Sequence, residues 1–447
     1  MGHLRRSFFV STRRLRPELD GCLEVQVGEY WFGAFDGALL PRAGPDRTAI
    51  SFETVSLLPP ASEPVENTAV IDGATLDVCG SDMNTQAIYF LRAPGGHLVV
   101  FNDLFLARPL LRASGLDVRY ARGRGPDLTF FESVQRLPDG GRLVARSRRG
   151  ALEVQASRWP SLLEPTRDIH ADLERSMAEL YGCLERSVRR GVAGEARVYI
   201  ALSGGVDSAT VASLVRKVGC PLTAYTLGTE WGDEYAQARQ TADALGIPLE
   251  QVHVTAEELR REVPHVVRFF HFIEPEAVEI ALVAHCLYQK LYQRAPVPRR
   301  FLSGYGADLL NGGGVTHSES FQRFQADLLQ GLERTQRSNE FSALAALQYG
   351  VRPYHPWWQR EVIRCALQVP PGFKLRMGWD KFYARQMMVG GLPDATTWRT
   401  KLGAHRGTGL SQHLRDGFGG EGGYRGAIER MHEDIFHHGH YPGGLSS

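Results

Sequence analysis

Six residues in the middle of the chain, Ser203-Gly204-Gly205-Val206-Asp207-Ser208, follow an apolar run, Val198-Tyr199-Ile200-Ala201-Leu202, and precede an apolar-periodic stretch, Ala209 to Val218. The pattern predicts a strand, a tight loop and a helix. Glycines let a backbone approach an anion closely, and the N–H groups that open a helix point at its oxygens. Ser203 and Ser208 add hydroxyl donors. Asp207 would repel a bare phosphate, so its presence asks for a Mg²⁺ ion between the two. The string therefore calls for a magnesium-bound polyphosphate. A Walker loop would need Gly-x-x-x-x-Gly-Lys-Ser/Thr, and the missing lysine disfavours kinase and GTPase chemistry. A glycine turn holding nothing is the plain alternative, and it does not account for so constrained a string.

A chain of 447 residues has room for two or three domains, and 43% hydrophobic with 23% charged residues describes an ordinary globular protein. A net charge of +1 provides no global field for nucleic acid, so no nucleic-acid partner is expected. The basic start, Met1 to Arg14, has only Phe8-Phe9-Val10 as an apolar run, too short for a signal peptide or a membrane span. A cytoplasmic protein without membrane contact is expected. Cys22, Cys79, Cys183, Cys220, Cys286 and Cys365 form no Cys-x-x-Cys pair, which predicts neither a zinc site nor a disulfide framework. The cluster His437-His438-x-His440 lies in a glycine-rich tail and reads as a loose polar terminus. Lysines are scarce: Lys217, Lys290, Lys374, Lys381 and Lys401 are all there are.

Up to about residue 160 the chain shows short strand-like runs, Leu23 to Val27, Tyr30 to Phe35, Ala87 to Leu91 and Leu98 to Phe101, broken by Gly, Pro and Asp. Beyond Asp168 the period becomes helical, with Leu173, Met177, Leu180, Leu184 and Val188 on one stripe of Ile169 to Arg189. Pro160 to Pro165 reads as a linker, giving expected domains 1–165 and 166–447. Strand 198–202, helix 208–218, strand Leu222 to Leu227, helix Glu234 to Leu245 and strand Leu249 to Val254 then alternate as in a doubly wound parallel sheet. The Ser203–Ser208 loop falls at the carboxyl end of the first strand, where such sheets bind ligands.

The loop resembles the PP-loop of ATP pyrophosphatases, and from Tyr199 to His413 the chain is similar to asparagine-synthetase-like enzymes, with several motifs in that family's order. The resemblance implies an α/β PP-loop domain with a helical C-terminal part, ATP split between its α and β phosphates, and Mg²⁺. It implies nucleotide contacts from Ala201, Ser203, Gly204, Gly205, Asp207, Ser208, Leu227, Gly228, Ser303 and Gly304. Asp233-Glu234 opens the next helix, where capping and site roles weigh equally. In Ser303-Gly304-Tyr305-Gly306-Ala307-Asp308, Asp308 would be the second metal carboxylate beside Asp207.

Asparagine synthetases carry Glu where this chain has Tyr305, and tyrosine there resembles the β-lactam synthetase branch, which includes carbapenam synthetases. That branch pairs its tyrosine with a glutamate in an Asn-Glu context, and Asn339-Glu340 stands at that spacing. An amine attacking an acyl-adenylate must lose a proton. A phenol near pKa ~10 matches an ammonium at about 8–10 better than a carboxylate near ~4 does. Tyr305 and Glu340 are therefore expected as a catalytic dyad. Lys401, in Lys401-Leu402-Gly403-Ala404-His405, matches the branch's Lys-Leu-Gly-x-His segment and is expected to balance the charge of adenylate and oxyanion. The segment Pro353-Tyr354-His355-Pro356-Trp357-Trp358 reads as scaffold, and Lys381 and Arg385 as helix-surface or packing residues.

The first half resembles a shortened, inactive Ntn-hydrolase-like α+β sandwich of the glutaminase type. Its family nucleophile is a Cys directly after the initiator Met, whereas this sequence reads Met1-Gly2-His3. The nitrogen is then expected from an amine on a small β-amino acid substrate, which closes a β-lactam with release of AMP and PPi. A macrolactam (lasso-type peptide) cyclase, an intermolecular amide ligase and a non-catalytic nucleotide binder are the rival readings. The resemblance is compatible with a homodimer.

Overall fold

The computed structural model describes residues 6–15, 21–40, 47–52, 56–58, 67–81, 83, 86–121, 129–148, 151–158, 172–271, 274–294, 299–315, 320–338, 343–400 and 403–441. The strands of the first half are β1 Phe8–Ser11, β2 Leu23–Val27, β3 Tyr30–Ala34, β4 Arg47–Ser51, β5 Ser56–Leu58, β6 Thr68–Asp72, β7 Thr75–Cys79, β8 Tyr89–Ala93, β9 His97–Phe101, β10 Val134–Arg136, β11 Gly141–Arg148 and β12 Ala151–Arg158. They form two antiparallel six-stranded sheets, ordered β10-β8-β9-β1-β3-β2 and β12-β11-β7-β6-β4-β5.

Alternation along these strands explains how the halves join. Phe8 and Val10 of β1, with Leu98 and Val100 of β9, point between the two sheets, where Ile71, Val78 and Leu143 meet them. Phe9, Val99 and Phe101 point the opposite way into a second core with Val263, Val266 and Phe270. A strand buried on both faces reads as a continuous apolar run, which is what Phe8-Phe9-Val10 is. The expected linker, Pro160 to Pro165, and the expected boundary at residue 165 lie outside the described residues.

The helices used below are α1 Ala107–Ala113, α2 Leu173–Val192, α3 Val206–Val218, α4 Tyr235–Leu245, α5 Ala256–Phe270, α6 Pro275–Arg294, α7 Ala307–Asn311, α8 Phe321–Ser338, α9 Ala343–Gln348 and α10 Arg360–Gln368. Asp172 caps α2 by accepting from the Glu174 and Arg175 amides, and Leu180, Leu184 and Val188 bury its apolar stripe. Strands β13 Val198–Ala201, β14 Leu222–Thr229, β15 Leu249–Val254, β16 Arg299–Leu302 and β17 Val351–Tyr354 form one all-parallel sheet, ordered β15-β14-β13-β16-β17. This is the expected doubly wound arrangement. The order reverses between β13 and β16, where a crevice opens beyond the strand ends.

One buried ion pair ties sandwich to sheet domain. Asp103, just after β9, accepts both Arg268 Nη1 and Nη2 of α5 at 2.8 and 2.7 Å, and both side chains are fully buried. Burial alone would raise the Asp103 pKa, but the Arg268 charge outweighs it and holds the carboxyl far below its ordinary range.

The histidine-rich C-terminal stretch is no loose terminus. Residues Glu433–His438 form a π-helical turn with Ile435 and Phe436 buried, and Arg108 of α1 donates to the His438 carbonyl at 2.5 Å. Its amphipathic spacing, with apolar Ile435-Phe436 against the sandwich, was hidden by the glycines around it. No helix among the described residues is long and apolar enough to cross a membrane.

Candidate active site at the sheet's switch point

The two sequence motifs leave adjacent strands, β13 and β16, which pair Tyr199 with Phe301 and Ile200 with Leu302. Their loops consequently meet. A Cβ on Gly304 would lie 2.5 Å from the Ser208 nitrogen and 2.7 Å from the Asp207 carbonyl carbon, so only glycine allows this contact. Gly204 has a φ of 66°, and a side chain there would collide with the backbone at Gln237 and Ala238. The Ser203 amide donates to Ser208 Oγ at 3.2 Å, and the two hydroxyl oxygens are 3.1 Å apart. Asp207 and Ser208 occupy the first turn of α3.

Asp207 and Asp308 converge on a single cation, the ammonium of Lys381. Lys381 Nζ lies 2.7 Å from Asp207 Oδ2 and also pairs with Asp308 Oδ1. Lys381 is 4% exposed and holds a left-handed backbone, φ 52°, rare for a residue with a side chain. It is neither a surface nor a plain packing residue, as its sequence context suggests. Burial pushes its pKa down, but the Asp207 and Asp308 charges together raise it above its ordinary value. Asp207 is buried, whereas the Asp308 side chain is 57% exposed, so the pair opens to solvent on one side. Asp380 braces the lysine's turn by accepting from the Gly314 amide at 2.7 Å and from Arg385 Nη2 at 2.7 Å.

The His355 to Trp358 segment is scaffold, as expected, but it also grips both loops. His355 Nδ1 and Ser303 Oγ are 2.8 Å apart, and Trp357 Nε1 donates to the Asp207 carbonyl at 3.2 Å. Burial lowers the His355 pKa to about 4, so the ring is neutral at physiological pH. Tyr305 is half-buried, and its ring meets the His355 ring edge-on at 5.8 Å.

Glu340 and Lys401 lie outside the described residues. The approach to Lys401 is held firmly: buried Arg385 donates to the Thr397 and Arg399 carbonyls at 2.7 and 3.1 Å. Arg399 Nη2 in turn donates to Glu234 Oε1 at 2.9 Å. Glu234 makes no side-chain cap to α4; it pins the 398–400 segment to the start of that helix. Asp233 does the local turn work by accepting from the Tyr235 amide. Leu227 and Gly228 end β14, and a Cβ on Gly228 would strike Asp233 and Tyr235 at 2.6 Å.

The sandwich's two cysteines are poorly suited to nucleophilic work. Burial, with Glu24 assisting, raises the Cys22 pKa to about 12, and burial with Asp77 raises that of Cys79 to about 11.

Among solved structures, the NMN synthetase of Francisella tularensis superposes with a TM-score of 0.30 and 14% identity over 62% of this chain and 100% of that one, a loose likeness. The carboxyethyl-arginine beta-lactam-synthase of Streptomyces clavuligerus is 30% identical over 236 residues, 53% of this chain and 45% of that protein. Asparagine synthetase (glutamine-hydrolyzing) 1 of Bacillus subtilis is 28% identical over 149 residues, 33% of this chain and 23% of that protein. The chain thus spans less than half the length of either relative. The asparagine synthase family model matches residues 179–354 and 345–419, from α2 through both loops and past Lys381. With both loops meeting at the switch point and more than half its length matched, the chain belongs to the asparagine synthase family.

Proposed function

We propose that this protein is an ATP- and Mg²⁺-dependent, AMP-forming synthetase that adenylates the carboxylate of a β-amino acid and closes it to a β-lactam. The observation that carries this reading is the convergence of Asp207 and Asp308 on one cation, with Tyr305 three residues before Asp308. A site that seats an ammonium between two carboxylates also fits a hard divalent ion, which takes one or two protein carboxylates and fills its remaining positions from phosphate and water. Magnesium, when bound, supplies charge neutralisation to the polyphosphate.

The chain's own groups do the rest. The N–H groups of the first turn of α3 and the Ser203 and Ser208 hydroxyls hold phosphate oxygens, and Lys381 balances the carboxylates while the nucleotide enters. The substrate carboxylate oxygen bonds to the α-phosphorus and PPi leaves. The substrate's amine then bonds to the acyl carbon, the carbon–oxygen bond to AMP breaks, and the amine proton passes to the Tyr305 oxygen as the phenol's own proton passes to its Glu340 partner. The charge of Lys401 balances the oxyanion of that step. Holding amine and acyl carbon together supplies proximity that offsets part of the ring strain. The cysteines of the sandwich, both with raised pKa, support an amine carried by the substrate rather than ammonia from glutamine.

PPi release measured against a panel of carboxyalkyl amino acids, with mass spectrometry of the products, tests this reading. A product lighter than its β-amino acid by one water supports it. Release with a linear peptide but no small β-amino acid would make the protein a macrolactam cyclase, and no release with any panel member would leave a nucleotide binder.

A further inference from the structure

A cavity of about 710 Å³ lies on the side of edge strand β17, between α2 and α10 and against Ser81 and Met83 of the sandwich. None of its lining residues belongs to the 203–208 or 303–308 loops. Its volume is in the range that holds small-molecule ligands.

Its charge is unusual. Arg186 and Arg190 from α2, Arg300 from β16, Arg352 from β17, and Arg360 and Arg364 from α10 all line it. Glu179 also lines it, and among the described residues two carboxylates are each shared by two of these guanidiniums. Glu361 serves both Arg186, at 3.4 Å, and Arg190, while Glu195 serves both Arg300, at 3.5 Å, and Arg352, at 2.8 Å. Each of these carboxylates sets one negative charge against two guanidiniums. Burial and the neighbouring Arg352 charge lower the Arg300 pKa, and Arg352 Nε is buried without a hydrogen-bond partner. Cys183, in the same wall, already draws a hydrogen bond from Arg186 Nη2 at 3.1 Å. Gathering guanidiniums from four elements costs repulsion that a folded chain does not recover by itself. An anion with several charged oxygens recovers it, because guanidinium forks pair bidentately with phosphate or carboxylate.

We propose that this cavity is a binding site for a small polyanion bearing phosphate or carboxylate groups, separate from the nucleotide crevice. Its wall continues through Tyr354 into His355, whose ring contacts Ser303, so occupancy borders the nucleotide loops without sharing their residues.

Isothermal titration without divalent ions, using sodium tripolyphosphate and, separately, citrate, tests the site on the full chain. One saturable site for either anion is expected, weakened at least tenfold in the Arg186→Gln/Arg352→Gln double variant and weakened in Arg364→Glu. Arg364 is exposed on α10, so that charge reversal keeps the test open if the double variant fails to fold. Preference for tripolyphosphate assigns a phosphate ligand and preference for citrate a carboxylate. The proposal is overturned by no saturable binding of either anion, or by binding that survives both arginine variants and is lost in Ser208→Ala.

Discussion

Lys381 and Asp207, 174 residues apart in sequence, form a buried ion pair of 2.7 Å, and the same ammonium reaches Asp308. Two carboxylates brought this close repel one another, and this lysine holds them in place.

Replacing it separates the two roles. Lys381→Met should lower the Tm of the metal-free protein, since breaking a buried pair costs about 3–5 kcal/mol. Added Mg²⁺ should restore part of that loss. Thermal unfolding with and without Mg²⁺ checks this, and a Tm equal to wild type under both conditions would refute the counter-charge role.

Tyr305→Phe keeps the ring contact with His355 and removes only the hydroxyl. Ring closure should slow by about 100-fold or more, the usual worth of a positioned acid–base group, while substrate-dependent exchange of PPi into ATP stays near wild type. Unchanged steady-state lactam formation would sink the dyad.

Cys183 should be the reactive thiol of this chain. A hydrogen bond with Cys365 holds its pKa below that of an ordinary thiol despite burial, with Arg186 assisting. Iodoacetamide labelling followed by peptide mass spectrometry should show its rate levelling at a lower pH than that of an ordinary cysteine. Cys286, pushed up by burial, should stay unlabelled in the folded protein.

Acid should weaken the fold through buried neutral histidines. Burial lowers His97 and His355 to about 4, while an unfolded histidine titrates near ~6.5. Their contribution is complete above about 6.5 and is lost as pH falls toward 4, because the unfolded chain takes up the protons first. Tm should therefore drop across that window, and His355→Asn should flatten the drop. A Tm that rises between pH 6.5 and 4 would contradict the sign.

Much of this architecture was legible in the sequence because it is written locally. Strands Leu23–Val27 and Leu249–Val254 fall where their apolar runs predict, and the Ser203–Ser208 loop sits between its strand and helix. Gly304 against Ser208 follows once the strands are neighbours. Lys381 was not legible, since its spacing looks like that of a helix surface and its left-handed backbone leaves no mark on residue type. Its partners come from α3 and α7, and no local pattern encodes that meeting. The scarcity of lysines was the one available signal. The arginine cavity was equally hidden, because its members are dispersed from residue 186 to residue 364.

The way Phe9, Val99 and Phe101 face α5 has a practical meaning for anyone cutting this gene. A fragment starting at α2 would leave Val263, Val266, Phe270 and the Arg268 charge facing water, and would aggregate rather than act as a minimal enzyme. Whatever chemistry the sandwich performs or has given up, it is retained as a wall of the neighbouring domain. Selection on the parallel-sheet half is thereby selection on both.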